Sequence, residues 1–143
     1  MRLELTRRGD YAVRAMLALA RADGSATGGP AADGRLSVAR IAEAEALPPR
    51  ILPSVMVRLT RAGLVVPQTG RTGGYRLARP AASISLLDII EAIEGDTRRR
   101  TCVLRGGPCL ANGRCEVHEA FAGAQEALRE SLAASTLAGT LAA

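Results

Sequence analysis

The 143-residue sequence predicts a mainly α-helical protein carrying one small β-hairpin, on three observations. Aromatic residues make up 2% of the chain, Tyr11, Tyr75 and Phe121 with no Trp, so the core is left to Leu, Ile, Val and Ala, which favours packed helices. Apolar residues recur at helical spacing in five separate stretches. Between the third and fourth of these the period changes to short β-prone runs around a glycine-rich turn. With 48% hydrophobic and 23% charged residues, the composition is globular rather than disordered. A chain of this size buries enough surface to fold without a metal or a disulfide.

The first helix is predicted over about residues 9–22, with Tyr11, Ala12, Ala15, Met16, Leu19 and Ala20 on one stripe and Arg7, Arg8, Arg14 and Arg21 off it. Residues 23–35 hold four Gly, one Pro and no periodicity, and read as a long mobile loop. Ser37 caps a second helix to about residue 46, and Pro48 and Pro49 stop it. The third helix covers about residues 50–62, with Pro53 tolerated in its first turn and Gly63 at its end. It buries Ile51, Leu52, Val55, Met56 and Leu59, and its opposite face carries Arg50, Ser54, Arg58 and Arg61. Residues 64–66 and 75–77 are β-prone and flank a turn over 67–74 that bears Arg71 at its tip. Ser85 caps a fourth helix ending at Gly95. A cysteine-bearing loop over 96–115 leads to a long last helix over about residues 116–134, with Val117, Phe121, Ala124, Leu128 and Leu132 on its stripe and Leu137 and Leu141 trailing.

Charge divides the chain more sharply than its net +5 implies. All nineteen basic residues are Arg, and residues 1–80 hold thirteen of them against six acids, while residues 81–143 hold six against eight. A basic first part is the electrostatic footprint of nucleic-acid binding, although charge alone fits a solubilising surface equally well. Helix order, hairpin and charge agree on a winged helix-turn-helix over 1–80. Its third helix is sized for a major groove, with Arg50, Ser54 and Arg58 at base edges or phosphates and Arg71 anchoring the wing. The near-absence of aromatics excludes base-stacking single-strand binders. No apolar run is long enough to span a membrane, and residues 1–5 do not read as a secretory signal, so a cytoplasmic location is expected.

Cys102, Cys109 and Cys115 form C-x6-C-x5-C, followed by His118 as C-x2-H. Three thiols in a reducing compartment argue against a disulfide framework. Taken alone, the spacing admits metal binding, ordinary reduced thiols or a redox thiol switch. Gly106, Gly107 and Gly113 let the backbone wrap a ligand, and Arg98, Arg99, Arg100, Arg105 and Arg114 are expected to lower the thiol pKa values. Structural zinc normally uses paired ligands at closer spacing, and these longer loops leave room for a larger cluster. His118, three residues after Cys115 and on the same helix face, is the expected fourth ligand. An enzyme is not expected, because no C-x-x-C, nucleotide-binding loop or triad around the single His is present.

The segments 63–65, Gly73-Gly74-Tyr75-Arg76-Leu77-Ala78-Arg79-Pro80, 88–95 and 9–15, followed by three cysteines, resemble the IscR/NsrR (Rrf-two) family of bacterial transcription regulators. The resemblance covers nearly the whole chain except the 23–35 loop. It implies a homodimer that binds a double-stranded DNA operator through residues 1–80. It also implies an iron–sulfur cluster, 2Fe–2S or 4Fe–4S, and a dimerisation helix within 81–143. In members of this kind a His at the position of His118 completes the ligand set, and in others an acid at the position of Asp10 does so from the partner subunit. Thr69 stands where some members carry a wing Arg, and Arg71-Thr72 replaces a common Pro-Gly, so operator preference does not transfer. The remaining alternative is a DNA-binding regulator with a structural zinc or a cysteine thiol switch.

Overall fold

The computed structural model of the chain describes residues 3–24, 33–71, 73–98, 101–104, 106–109 and 114–143. Helices α1 (Arg7–Asp23), α2 (Val38–Glu45) and α3 (Leu52–Arg61) precede strands β1 (Val65–Gln68) and β2 (Gly74–Leu77). A single 3₁₀ turn (Ala81–Ser83) then leads to α4 (Leu86–Glu94), α5 (His118–Ala134) and α6 (Leu137–Ala142). This is the mainly α architecture with a small hairpin wing that the sequence predicts. Of the mobile loop expected over residues 23–35, Asp23 closes α1 and residues 25–32 lie outside the described residues.

Local chemistry accounts for the helix ends. Thr6, Ser37 and Ser85 cap α1, α2 and α4 by accepting first-turn amide hydrogens. Ser85 and Asp88 close a reciprocal capping box, a device worth about 1 kcal/mol. The third helix has no side-chain cap and starts on Leu52-Pro53, where a missing amide hydrogen costs least. Of its predicted inner residues, Leu52, Val55, Met56 and Leu59 are buried, while Ile51 stands at the cap position before the helix and is half-buried.

One apolar core joins the two halves of the chain. Met16 and Leu19 of α1, Ile41 of α2 and Met56 of α3 pack with Ile84, Ile89, Ile93 and Leu137 from beyond residue 80. The long last helix ends at Ala134 as expected and begins slightly later than expected, at His118. Beyond it, Leu86 N donates to Ser135 O and Leu137 N donates to Ile84 O. That strand-like pairing sets off the trailing residues as α6, whose Leu137 is fully buried. The stripe on α5 is correspondingly not a core stripe: Phe121 is 40% exposed, Leu128 and Leu132 are half-buried, and Arg129 is the buried residue of this helix.

The hairpin is longer than predicted. Strand β1 runs through Pro67 to Gln68, in antiparallel register Val65↔Leu77, Val66↔Arg76, Pro67↔Tyr75 and Gln68↔Gly74. Pro67 is tolerated because β1 is an edge strand, where a missing donor breaks no ladder. The other edge of β2 is taken by Leu36, which exchanges two backbone hydrogen bonds with Tyr75, at 3.0 and 2.8 Å. A Cβ on Gly74 would lie 2.5 Å from Leu36 O, so this approach requires glycine.

The C-terminal turn of α4 is a junction. Glu94 Oε1 accepts from Thr6 N at 2.8 Å, tying α4 to the start of α1. Arg58 Nη1 of α3 donates to Ile93 O at 2.8 Å. Glu91 accepts from the amide and hydroxyl of Thr97 at 3.1 and 2.8 Å, and the buried Arg129 of α5 donates to Glu91 and to Thr97 Oγ1. The Arg129 guanidinium, with the Thr97 groups, holds the Glu91 carboxyl below its ordinary value. A carboxyl depressed in the folded state stabilises fully above its unfolded pKa and loses that contribution as pH falls through the folded one. Glu91→Gln is therefore expected to lower the urea midpoint at neutral pH and to flatten its decline below about pH 4.5. An acid limb identical to wild type would show that this pair contributes nothing.

Candidate metal centre and nucleic-acid interface

The outer face of α3 carries Pro53, Ser54, Val57, Arg58 and Arg61, all exposed, with Arg50 just ahead of the helix. Burying Leu52, Val55, Met56 and Leu59 on the opposite side fixes this orientation. Arg50 and Arg61 make no ion pair or hydrogen bond among the described residues. The other two predicted residues are partly engaged. Ser54 Oγ donates to Ile51 O at 2.8 Å, and the guanidinium of Arg58 is held against the carbonyl of Ile93. Arg58 therefore serves the α3–α4 contact in this structure, a role that its place on the basic stripe did not disclose. Val57, absent from the predicted set, is 43% exposed on the same face.

Arg71 is exposed in the turn between β1 and β2 and makes no ion pair among the described residues. Several other arginines of the basic first part are structural. Arg14 and Arg21 both clamp Glu45 of α2, Arg35 pairs with Asp33, and Arg79 lies 4.0 Å from Asp88. Asp10, the rival ligand, sits in the first turn of α1 and pairs with Arg14 at 3.7 Å, outside the thiol group of its own chain.

The three cysteines converge. Their Sγ atoms all lie within 4.8 Å of one another, with Cys102–Cys115 at 3.7 Å and Cys109–Cys115 at 4.0 Å. A turn closes the loop on Cys102, whose N–H donates to Gly107 O and whose carbonyl accepts from Gly106 N. Gly106 and Gly107 thus serve the backbone turn. His118 begins α5 and brings Nδ1 to 3.4 Å from Cys109 Sγ, which places a borderline nitrogen donor at the edge of the three-sulfur group. Cys102 and Cys115 are buried and Cys109 is half-buried.

The expected lowering of thiol pKa by arginine is not seen at Cys115. Burial first, then contact with Cys102 and Cys109, pushes this thiol up. Arg98 and Arg114 lie against Asp96 and Glu119, and Arg99, Arg100 and Arg105 are outside the described residues. Three sulfurs packed this closely disfavour thiolate until a cation is present, and a bound cation reverses that preference. The donor set, its depth and its crowding fit a soft metal or a cluster.

The Rrf2 family profile, described as an iron-dependent transcriptional regulator, matches residues 5–143. The HTH-type transcriptional regulator IscR of Cereibacter sphaeroides is 37% identical over 64% of this chain and 56% of its own length. Two Mycobacterium tuberculosis relatives match at 34% identity, and the chain spans about half of their length, 53%. Among solved structures, the B. subtilis global cysteine regulator CymR superposes with a TM-score of 0.77 at 27% identity over 99% of this chain and 98% of that one. T. potens IscR superposes with a TM-score of 0.71 at 30% identity over 98% and 87%. These are regulators and not enzymes. With a profile that spans nearly every residue and a fold shared end to end with CymR and IscR, the chain belongs to the Rrf2 family of transcriptional regulators.

Proposed function

We propose that this chain is a sequence-specific DNA-binding transcription regulator whose occupancy of a double-stranded operator is controlled by an iron–sulfur cluster. In this reading the cluster senses redox state, nitric oxide or iron and cluster supply, and the protein acts in the cytoplasm as a homodimer. Residues 1–80 bring α3 and Arg71 to the DNA, and residues 81–143 hold the cluster and the dimer contact, over the shared core. The observation that carries the reading is the convergence of Cys102, Cys109 and Cys115, with His118 against Cys109. The family's description as iron-dependent supports iron as the metal. Bound there, a cluster supplies a redox-sensitive anchor for the loop between α4 and α5. Thr97 joins that loop to Glu91 and Arg129, and Arg58 joins α4 to α3, so a shift in the loop has a short physical route to the DNA-facing helix.

The homodimer is supported by an open groove of about 340 Å³ between the N-terminal segment, α1, α4 and α5. Leu5, Ile90, Leu128 and Leu132 line it, beside Leu3, which is 79% exposed. An apolar surface of this kind on a helix with no inward stripe matches α5 of a second copy.

A second reading has one observation in its favour. Ligand sulfurs 2.3 Å from one tetrahedral zinc lie about 3.8 Å apart, and the observed 3.7 and 4.0 Å match that edge. Anaerobic purification followed by metal, sulfide and visible-absorption measurement decides. Iron with inorganic sulfide in a brown protein is the expected result. A colourless protein carrying stoichiometric zinc after attempted reconstitution would replace the cluster by structural zinc. A protein that retains neither would leave the thiol switch.

A further inference from the structure

We propose that Val57 is a base-reading residue, its isopropyl group set against the C5-methyl of a thymine in the major groove. The inference deepens the proposed DNA contact and rests on α3 entering that groove. Val57 is 43% exposed, while the other large apolar side chains of α3, Leu52, Val55, Met56 and Leu59, are fully buried. A β-branched residue in the middle of a helix has little propensity in its favour there, so neither helix formation nor burial accounts for it.

Its position is central on the outer face. Val57 follows Pro53 by four residues and precedes Arg61 by four, so all three lie on one side of the helix, with Arg50 just ahead of its start. Cationic residues thus stand at both ends of the face, where phosphates border a groove, with an apolar group between them. The polar neighbours are less able to read bases. Arg58 is turned to the carbonyl of Ile93, and the hydroxyl hydrogen of Ser54 is donated to Ile51 O. The thymine methyl is the apolar mark on the major-groove edge of the base pairs, and an isopropyl group matches it as no charged side chain does. One valine flanked by Ser54, Arg58 and Arg61 is too small and too cationic a surface for a protein partner. Each half-site is therefore assigned a thymine opposite Val57.

The full chain, purified anaerobically, selects its preferred duplex from a randomised library. Affinities are then measured for that duplex and for derivatives in which each thymine in turn is replaced by deoxyuridine, which lacks only the methyl. One thymine per half-site is expected to weaken wild-type binding about fourfold on exchange, the factor for about 0.8 kcal/mol per methyl-sized group, and about fifteenfold when both half-sites are exchanged. Val57→Ala and Val57→Ser are expected to bind the thymine and deoxyuridine duplexes equally while retaining wild-type affinity for random DNA. A wild-type protein indifferent to every exchange, or variants that keep the wild-type penalty, would overturn the proposal. Failure of the parent reading looks different: no preferred duplex emerges, or Val57→Asp leaves DNA affinity unchanged, so that α3 is not in the groove at all.

Discussion

Leu128→Glu is expected to yield monomers in sedimentation and to weaken operator binding by about a hundredfold or more, since a dimer's second half-site contributes through effective concentration. Leu128 lines the apolar groove beside Leu132 and Ile90, so the variant places a carboxylate where the α5 of a second copy is proposed to seat. A carboxylate buried there carries a desolvation penalty that Leu132 and Ile90 do not offset, and the groove's Arg129 is already engaged by Glu91. The same residue touches its own chain's groove, so circular dichroism must show the variant folded. Phe121→Glu, at a side chain already 40% exposed, repeats the test away from the groove. Two folded variants that both remain dimers at micromolar concentration would remove α5 from the interface.

Cys115→Ala is expected to abolish metal or cluster retention altogether while leaving a folded protein. The thiol is central to the donor set, in contact with both Cys102 and Cys109, yet the cysteines stand outside the apolar core built on α1, α3 and α4. Far-ultraviolet circular dichroism should be unchanged, and metal content should fall from stoichiometric to background. The fourth ligand is tested in the same preparations. His118→Ala is expected to alter the visible spectrum and Asp10→Ala to leave it as in wild type, because His118 Nδ1 is already 3.4 Å from Cys109 Sγ and Asp10 is paired with Arg14. The opposite pattern would assign the ligand to Asp10 of the partner.

Much of this fold was legible because its signals are local. Ser37 and Ser85 cap where they stand, Pro53 and Gly63 bracket α3, and the spacing of Leu52, Val55, Met56 and Leu59 selects its inner face. What was hidden depends on contacts distant in sequence. The end of α5 near residue 134 was legible, but the pairing of Ser135 and Leu137 with residues 84–86, some fifty positions earlier, and the short α6 that follows were not. Arg58 belongs to a basic stripe by periodicity, and its engagement with Ile93 follows from the packing of α4 on α3. The cysteine spacing named the thiols but not their depth, and burial at Cys115 opposes the effect expected from neighbouring arginines. Val57 was passed over because an apolar residue beside a buried stripe reads as part of that stripe.

The pairing of Leu36 with Tyr75 changes what DNA binding demands of the wing. A two-stranded hairpin standing alone is marginal in water and samples many orientations. Here β2 is held on both sides, by β1 and by the residue immediately before the cap of α2, and Gly74 permits the close approach. The wing is thereby oriented relative to α2 by the fold itself, and its conformational entropy is lost during folding and not at the encounter with DNA. In the proposed complex Arg71 would reach the phosphates on a preorganised arm, so that its contact would add to affinity without a fresh ordering penalty.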